Sequence, residues 1–337
     1  MLTRRLILLS VLVAGVIAAI AAPSSATFQG EDGLISFARL VPQTKSTEIF
    51  TARPDGSNAQ RLTSNPRRTS LISDWSPDGE MIALDSDRVG GGGRVQIYVM
   101  NADGSDQTQL TKGPGFHFTP AWSPDGSSLA ISADWGARAL QGIWIIPASD
   151  PDGVSQVEAQ RLTTIPKGLD FDGEPQFSPD GSSIVFTRFK SFQSQKSAIH
   201  RVSVDGTGLQ RLTPWKLNAS DPDWSPDGQL ITFDSGDVGV PPAKGDIYVM
   251  RADGAGRTRL TDNPRVREGK RFRLAQNPVW SPSGSRIMFT RFQARRFDPE
   301  TAAPGGPLIA MNPDGSAQRV VVDGKHIQNK VDWGTHP

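Results

Sequence analysis

Carboxylates gather at Asp170, Asp172 and Glu174 and again at Asp221 and Asp223, whereas Arg265, Arg267, Lys270, Arg271 and Arg273 crowd one later stretch. Paired acids such as Glu174 and Asp221 suit glycosidic chemistry, one as acid and the other as base, when their separation fits. Opposed acidic and basic loops suit instead the capture of a partner with separated charges. Charge runs of this kind also occur as plain solvated loops. The four histidines are dispersed: His117 and His326 in connections between repeats, His200 in a strand and His336 in the tail. That spread argues against a three-histidine metal site. The sequence contains no Gly-x-Ser-x-Gly elbow, His-Glu-x-x-His pair, phosphate loop or dinucleotide fingerprint. Gly90 to Gly93 reads as a linker, because no Lys-Ser/Thr follows it. Cysteine is absent, which excludes disulfides, thiolate metal sites and cysteine nucleophiles. Neither a metal nor a cofactor is expected.

The frame that must position these side chains is a repeat. The fullest copy runs from Asp74 to Thr111: Asp-Trp-Ser-Pro-Asp-Gly, the triplet Ile82-Ala83-Leu84, a Gly-rich loop, Gln96-Ile97-Tyr98-Val99-Met100, Asn-Ala-Asp-Gly, then Gln109-Leu110-Thr111. Each copy holds four short strands, A to D. Strand A ends at Trp75, Trp122, Phe177, Trp224 and Trp280. Strand B recurs as Ile82-Ala83-Leu84, Leu129-Ala130-Ile131, Ile184-Val185-Phe186, Ile231-Thr232-Phe233 and Ile287-Met288-Phe289. Strand C includes Ile97-Tyr98-Val99, Ile143-Trp144-Ile145 and Ile247-Tyr248-Val249. Strand D carries Leu110-Thr111, Leu162-Thr163, Leu212-Thr213, Leu260-Thr261 and Val320-Val321. The first copy opens at strand B with Leu34-Ile35-Ser36-Phe37 and lacks a strand A; Val331-Asp332-Trp333-Gly334 at the other end supplies one. The sequence therefore predicts an all-β, six-bladed β-propeller of four-stranded blades, its ring closed by the C-terminal strand completing the first blade. Closure hides the edges that an open array would expose.

Ser-Pro-Asp-Gly suits the A–B hairpin, because proline presets φ, aspartate bonds its local backbone and glycine takes positive φ. Asp55, Asp103, Asp205, Asp253 and Asp314 play the same part beside glycine between strands C and D, and regular repetition favours a turn role over a metal site. The Trp series reads as inter-blade core. The A–B and C–D turns share one uniform face, and the variable B–C and D–A loops share the other, where specificity belongs. The residues aligned with the position before Pro-x-Trp are Ile72, Thr119, Glu174, Asp221, Asn277 and Lys330. They are expected to ring the mouth of the channel on the variable face. Thr119, Glu174, Asp221, Asn277 and Lys330, with Arg271 and Arg273, are the candidate binding residues.

The Trp-Ser-Pro-Asp-Gly, Ile-Tyr-Val-Met and Asp-Gly-Ser series resembles the TolB-like, WD-repeat-like six-bladed propellers over roughly Phe28 to Pro337. The resemblance implies a propeller, an extracytoplasmic binding role and a partner in the cell envelope. The sequence departs from TolB in passing from leader to first blade, without the α/β domain that TolB carries ahead of its propeller.

The segment up to Ala26 carries Arg4-Arg5, an apolar run from Leu6 to Ala22 and the small-residue exit Ser24-Ser25-Ala26, the pattern of a signal peptide. The expected organisation is a leader at 1–26, cleaved or kept as an anchor, and a propeller at 27–337, placed in the periplasm or secreted. No membrane span is expected beyond the leader. With 36 Lys and Arg against 35 Asp and Glu, the chain has no general affinity for polyanions, and nucleic acid is not an expected partner. The overall reading is a non-enzymatic module binding an envelope protein or a small polar ligand. The alternative is a propeller lyase or hydrolase using the mouth carboxylates.

Overall fold

A computed structural model describes residues 28–88, 94–150, 152–191, 196–237, 244–264, 272–294, 306–323 and 327–336. Residues 1–27, including the expected leader, Gly90 to Gly93, the basic run from Arg265 through Arg271, and His326 lie outside the described residues. Arg273 and Lys330 are placed by their backbones, each within a strand. Among the described residues no helix is long and apolar enough to cross a membrane.

Apolar triplets bounded by Pro-Asp-Gly turns are too short for helices and lie in strands, of which there are 24 among the described residues. Four sheets hold four strands each; a fifth, of eight, is two four-stranded units joined by one parallel pairing of Gly245 with Leu274. The result is six antiparallel blades. Their innermost strands are Ile327–Thr335 in blade 1, Ser70–Trp75 in blade 2, His117–Trp122 in blade 3, Phe171–Phe177 in blade 4, Ala219–Trp224 in blade 5 and Phe272–Trp280 in blade 6. Each touches the innermost strand of the next blade around a closed circle.

Closure follows the expected route. Ile327–Thr335 pairs with Asp32–Val41, with Trp333 opposite Ile35 and Val331 opposite Phe37. It then meets blade 2, where the Asp332 carboxylate accepts the Trp75 backbone N–H at 2.7 Å. Gly334 is required at this seam, since a β-carbon there would come within 2.7 Å of the Trp75 indole.

The strand B triplets read as unbroken apolar runs because both faces of a blade pack on neighbours. Ile82, Ala83 and Leu84 are all fully buried, as are Ile287, Met288 and Phe289. Strand D is placed differently from its expected position in most blades. The paired residues are the two before Leu-Thr, as in Gln60–Arg61, Gln160–Arg161 and Gln210–Arg211. Threonine then turns back, and its hydroxyl accepts the N–H of strand C: Thr63 from Ile49, Thr111 from Ile97, Thr163 from Ile143, Thr213 from Ile199 and Thr261 from Ile247. A side chain thus replaces one rung of the ladder, which keeps the outer edge short. The turn aspartates behave as expected. Asp125, for example, accepts from Ser123 Oγ at 2.6 Å and from the Ser127 N–H at 3.0 Å.

Candidate functional site

Every innermost strand loses register against strand B: that of blade 1 between Ile327 and Val331, and each of the others by one extra residue. The shifts fall between Ser70 and Ser73, Phe118 and Ala121, Gly173 and Gln176, Ser220 and Asp223, and Gln276 and Val279. In blades 3 to 6 the bulge places Thr119, Glu174, Asp221 and Asn277 in the left-handed region, with φ of 54°, 56°, 50° and 53°. Non-glycine residues adopt this conformation rarely, and a β-branched threonine does so at a real cost. The four aligned residues therefore occupy one equivalent position in four successive blades. They lie inside strand A at its bulge rather than ahead of the strand.

The bulge turns each backbone N–H toward the preceding blade, where a side chain accepts it. Asp85 Oδ2 of blade 2 takes the Thr119 N–H at 3.3 Å, and Thr119 Oγ1 takes that of Glu174 at 3.4 Å. Glu174 Oε2 and Thr187 Oγ1 of blade 4 share the Asp221 N–H at 2.9 and 3.2 Å. Asp234 Oδ2 of blade 5 takes that of Asn277 at 3.0 Å. The ring is thus a chain of inter-blade clasps. Thr119 and Asp221 are buried, and Glu174 and Asn277 are half-buried.

Asp85 and Asp234 stand at equivalent positions, each immediately after its strand B triplet. Burial pushes the Asp85 carboxyl up to about 6, against the N–H groups of Ile72, Thr119 and Leu71 that favour its charge. Burial pushes Asp234 up to about 7. Its hydrogen bonds to Ser220, Asn277 and Asp221 oppose the shift, and the charge of Glu174 adds to it. Between the ordinary carboxylate value and about 7, the folded state holds a proton that the unfolded chain has released. Stability supplied by protonated Asp234 is therefore lost as pH rises through that window. In Asp234→Asn, whose amide oxygen can still accept the Asn277 N–H, the stability lost between pH 5 and pH 8 in urea unfolding should be smaller than in the parent, the remainder coming from Asp85. At pH 8 the variant should exceed the parent by about 1–3 kcal/mol; parallel pH profiles for the two proteins would contradict this assignment.

Two of the acids expected on a solvated face are internal. Asp172 is fully buried, bound by Arg188 through Nε and Nη2 at 2.6 Å each and by Thr163 Oγ1 at 2.7 Å. Asp223 accepts the Trp280 N–H of blade 6 at 2.7 Å, as Asp74 accepts that of Trp122 in blade 3. With Asp332, these form a second belt of clasps, signalled in the sequence by Asp immediately before Trp. Asp170 is half-buried and paired with Arg138 at 3.3 Å. The two-signed face expected from sequence thus loses Asp172 and Asp223, and on the basic side Arg271 is outside the described residues.

His117 and His200 are packing residues. His117 is the first residue of its inner strand rather than part of a connection; it bonds Gln96 through Nδ1 at 2.9 Å and lies 4.3 Å from the Trp135 ring. Burial pushes His117 and His200 down to about 4, so both are neutral near pH 7. Among the described residues no group of three His, Asp or Glu is placed to hold a metal ion.

At the other end of the ring the first described residues run across the turn face. Phe28 is buried within the core cluster of blades 2 to 4, the Gly30 N–H donates to Pro282 O at 3.3 Å, and Asp32 Oδ1 accepts the Ser283 N–H at 3.0 Å. Gln29 helps line a cavity of about 360 Å³ with Pro179, Asp180, Arg201 and Trp224. A similar cavity recurs one blade back, lined by Pro124, Asp180 and Phe177. Such repetition marks the grooves as a product of blade packing.

Six closed blades with a clasped mouth define a β-propeller built to display loops on a rigid ring. Residues 152–326, just over half of the chain, match the TolB beta propeller domain model, and the chain belongs to that family. It is 29% identical over 274 residues to the Tol-Pal system protein TolB of Francisella tularensis subsp. mediasiatica, covering 70% of this chain and 59% of that protein. It is 26% identical over 216 residues to an uncharacterized peptidase of Bacillus subtilis, covering 61% of this chain but 28% of that one. The chain thus spans well under two thirds of both relatives. The solved structure of TolB from Acinetobacter baumannii shares the fold with a TM-score of 0.65 at 20% identity, over 90% of this chain and 67% of that one.

Proposed function

We propose that this chain is an exported, non-enzymatic binding module of the cell envelope, taking a protein or a small polar ligand at the mouth on its variable-loop face. The observation that carries the reading is the ring of Thr119, Glu174, Asp221 and Asn277, four strained residues held at one level by successive blades. Strain of this kind gathers at ligand clamps. The buried segment at Phe28 lies across the opposite face, which favours approach from the loop side. The leader-like segment 1–26 and a relative named for the Tol-Pal system support an envelope location. Glu174 and Asp221 give little support to acid–base catalysis, because one Glu174 oxygen is engaged by the Asp221 backbone and Asp221 is 8% exposed.

The reading is tested by immobilising the full chain, expressed with its own leader, beside an Asn277→Lys variant of equal thermal stability. Solubilised envelope is passed over both. A protein retained by the parent and lost from the variant is the expected result, and equal retention removes the site from the mouth. Turnover of an oligosaccharide that disappears in Glu174→Gln would replace the binding module with an enzyme.

A further inference from the structure

We infer that the mouth receives an extended polypeptide segment of a partner in which an apolar residue and a lysine or arginine lie two positions apart. The apolar side chain would rest on blades 3 and 4, and the cation would face the carboxylates of blades 4 and 5. The inference deepens the binding-module reading and rests on it.

The apolar arc is specific. Phe118, Phe171 and Phe189 form one run across the blade 3–4 junction, with ring centroids 5.3 and 5.7 Å apart. All three are only half-buried, and Phe116, just outside the strand, is 42% exposed. Phe171 has its seat because the next-but-one residue is Gly173; a β-carbon there would strike its ring. The ring is thereby held over the strand immediately before Glu174. Leu71 and Ile72, also half-buried, continue the apolar character onto blade 2.

The other arc is acidic. Glu174 holds the Asp221 backbone, and both act on the carboxyl of Asp234 behind them. The neighbouring acids add little net charge, since Asp172 is matched by Arg188 and Asp170 by Arg138. A cation approaching Glu174 and Asp221 also passes phenyl faces, which attract it further. In an extended segment, residues two apart share one side, so one chain can present an apolar and a basic side chain to the two arcs together. Charge complementarity therefore selects a basic segment over an acidic one.

The test is a phage-displayed library of random nonapeptides panned at pH 8 against the full chain. The expected enrichment is apolar-x-Lys or apolar-x-Arg. The selected peptides should lose at least about tenfold in affinity to Glu174→Gln, which keeps an oxygen for the Asp221 N–H, and to Phe189→Ala. They should also bind more weakly in high salt. Enrichment without a basic residue, or of acidic peptides, overturns the inference, as does affinity indifferent to both substitutions in variants that melt like the parent. If no peptide is enriched yet an envelope protein is still lost from Asn277→Lys, this inference falls while the binding-module reading stands. If neither binds, both fall.

Discussion

Trp333→Ala should lower the unfolding free energy by about 3–5 kcal/mol, the range for large aromatic truncations in a core. Trp333 is 4% exposed and packs with Ile35, Phe37, Val331 and Met288, so it fills the space between the first and last blades. Two bonds beside it tie the same closing strand to blade 2: Asp332 to the Trp75 N–H, and Thr335 Oγ1 to Pro77 O at 3.0 Å. The loss should therefore exceed that of a comparable interior blade. Trp224→Ala, in a blade whose four strands are contiguous in sequence, gives the comparison. Urea unfolding followed by hydrogen exchange should show Asp32–Val41 and Ile327–Thr335 losing protection first in Trp333→Ala. Stability within about 0.5 kcal/mol of the parent would mean that the seam carries none of the weight assigned to it.

Arg188→Ala should be comparably damaging, at about 3–5 kcal/mol, for a different reason. The Arg188 side chain is almost wholly buried, binds Asp172 through two nitrogens, donates to Thr164 O at 3.1 Å and lies 5.5 Å from the Phe186 ring centre. Removing it leaves a fully buried carboxylate without its counter-charge. Burial already pushes Asp172 upward, and Arg188 is the strongest influence opposing that. Without the arginine the acid should take up a proton, so the defect should shrink as pH falls toward 5 and widen toward pH 8. Arg188→Met combined with Asp172→Leu removes both charges and should recover most of the loss. Equal destabilisation by the single and double variants would show that shape, not charge, is what the pair supplies.

The fold was legible because its strongest signals are local. Pro-Asp-Gly turns and apolar triplets recur often enough that one weak copy cannot mislead, and the unmatched Val331-Asp332-Trp333 told where the ring closes. The shared bulge position was legible through proline, which fixes the chain just after Thr119, Glu174, Asp221 and Asn277. What the sequence hid was direction. Asp172 and Asp223 look like solvated acids, but the partners that bury them lie far off in the chain: Arg188 on the next strand, and the Trp280 N–H on the next blade. Asp85 and Asp234 were passed over because an acid after an apolar triplet resembles a strand leaving the core. Their spacing from the bulge was the available clue, since a left-handed residue must send its N–H to some acceptor. The phenylalanines beside the bulge escaped notice for the same reason, as Phe118, Phe171 and Phe189 meet only when blades 3 and 4 are side by side.

The central claim, that a partner is taken at the loop-face mouth, is tested most directly by photo-crosslinking in living cells from two positions. A photoreactive residue at Gln276, half-buried next to Asn277 on the loop face, should yield a discrete adduct with an envelope protein. The same residue at Val157, 94% exposed in the C–D connection of blade 3 on the turn face, should yield none. An adduct from position 157 alone, or equal adducts from both, would contradict the account and move the binding surface to the other side of the ring.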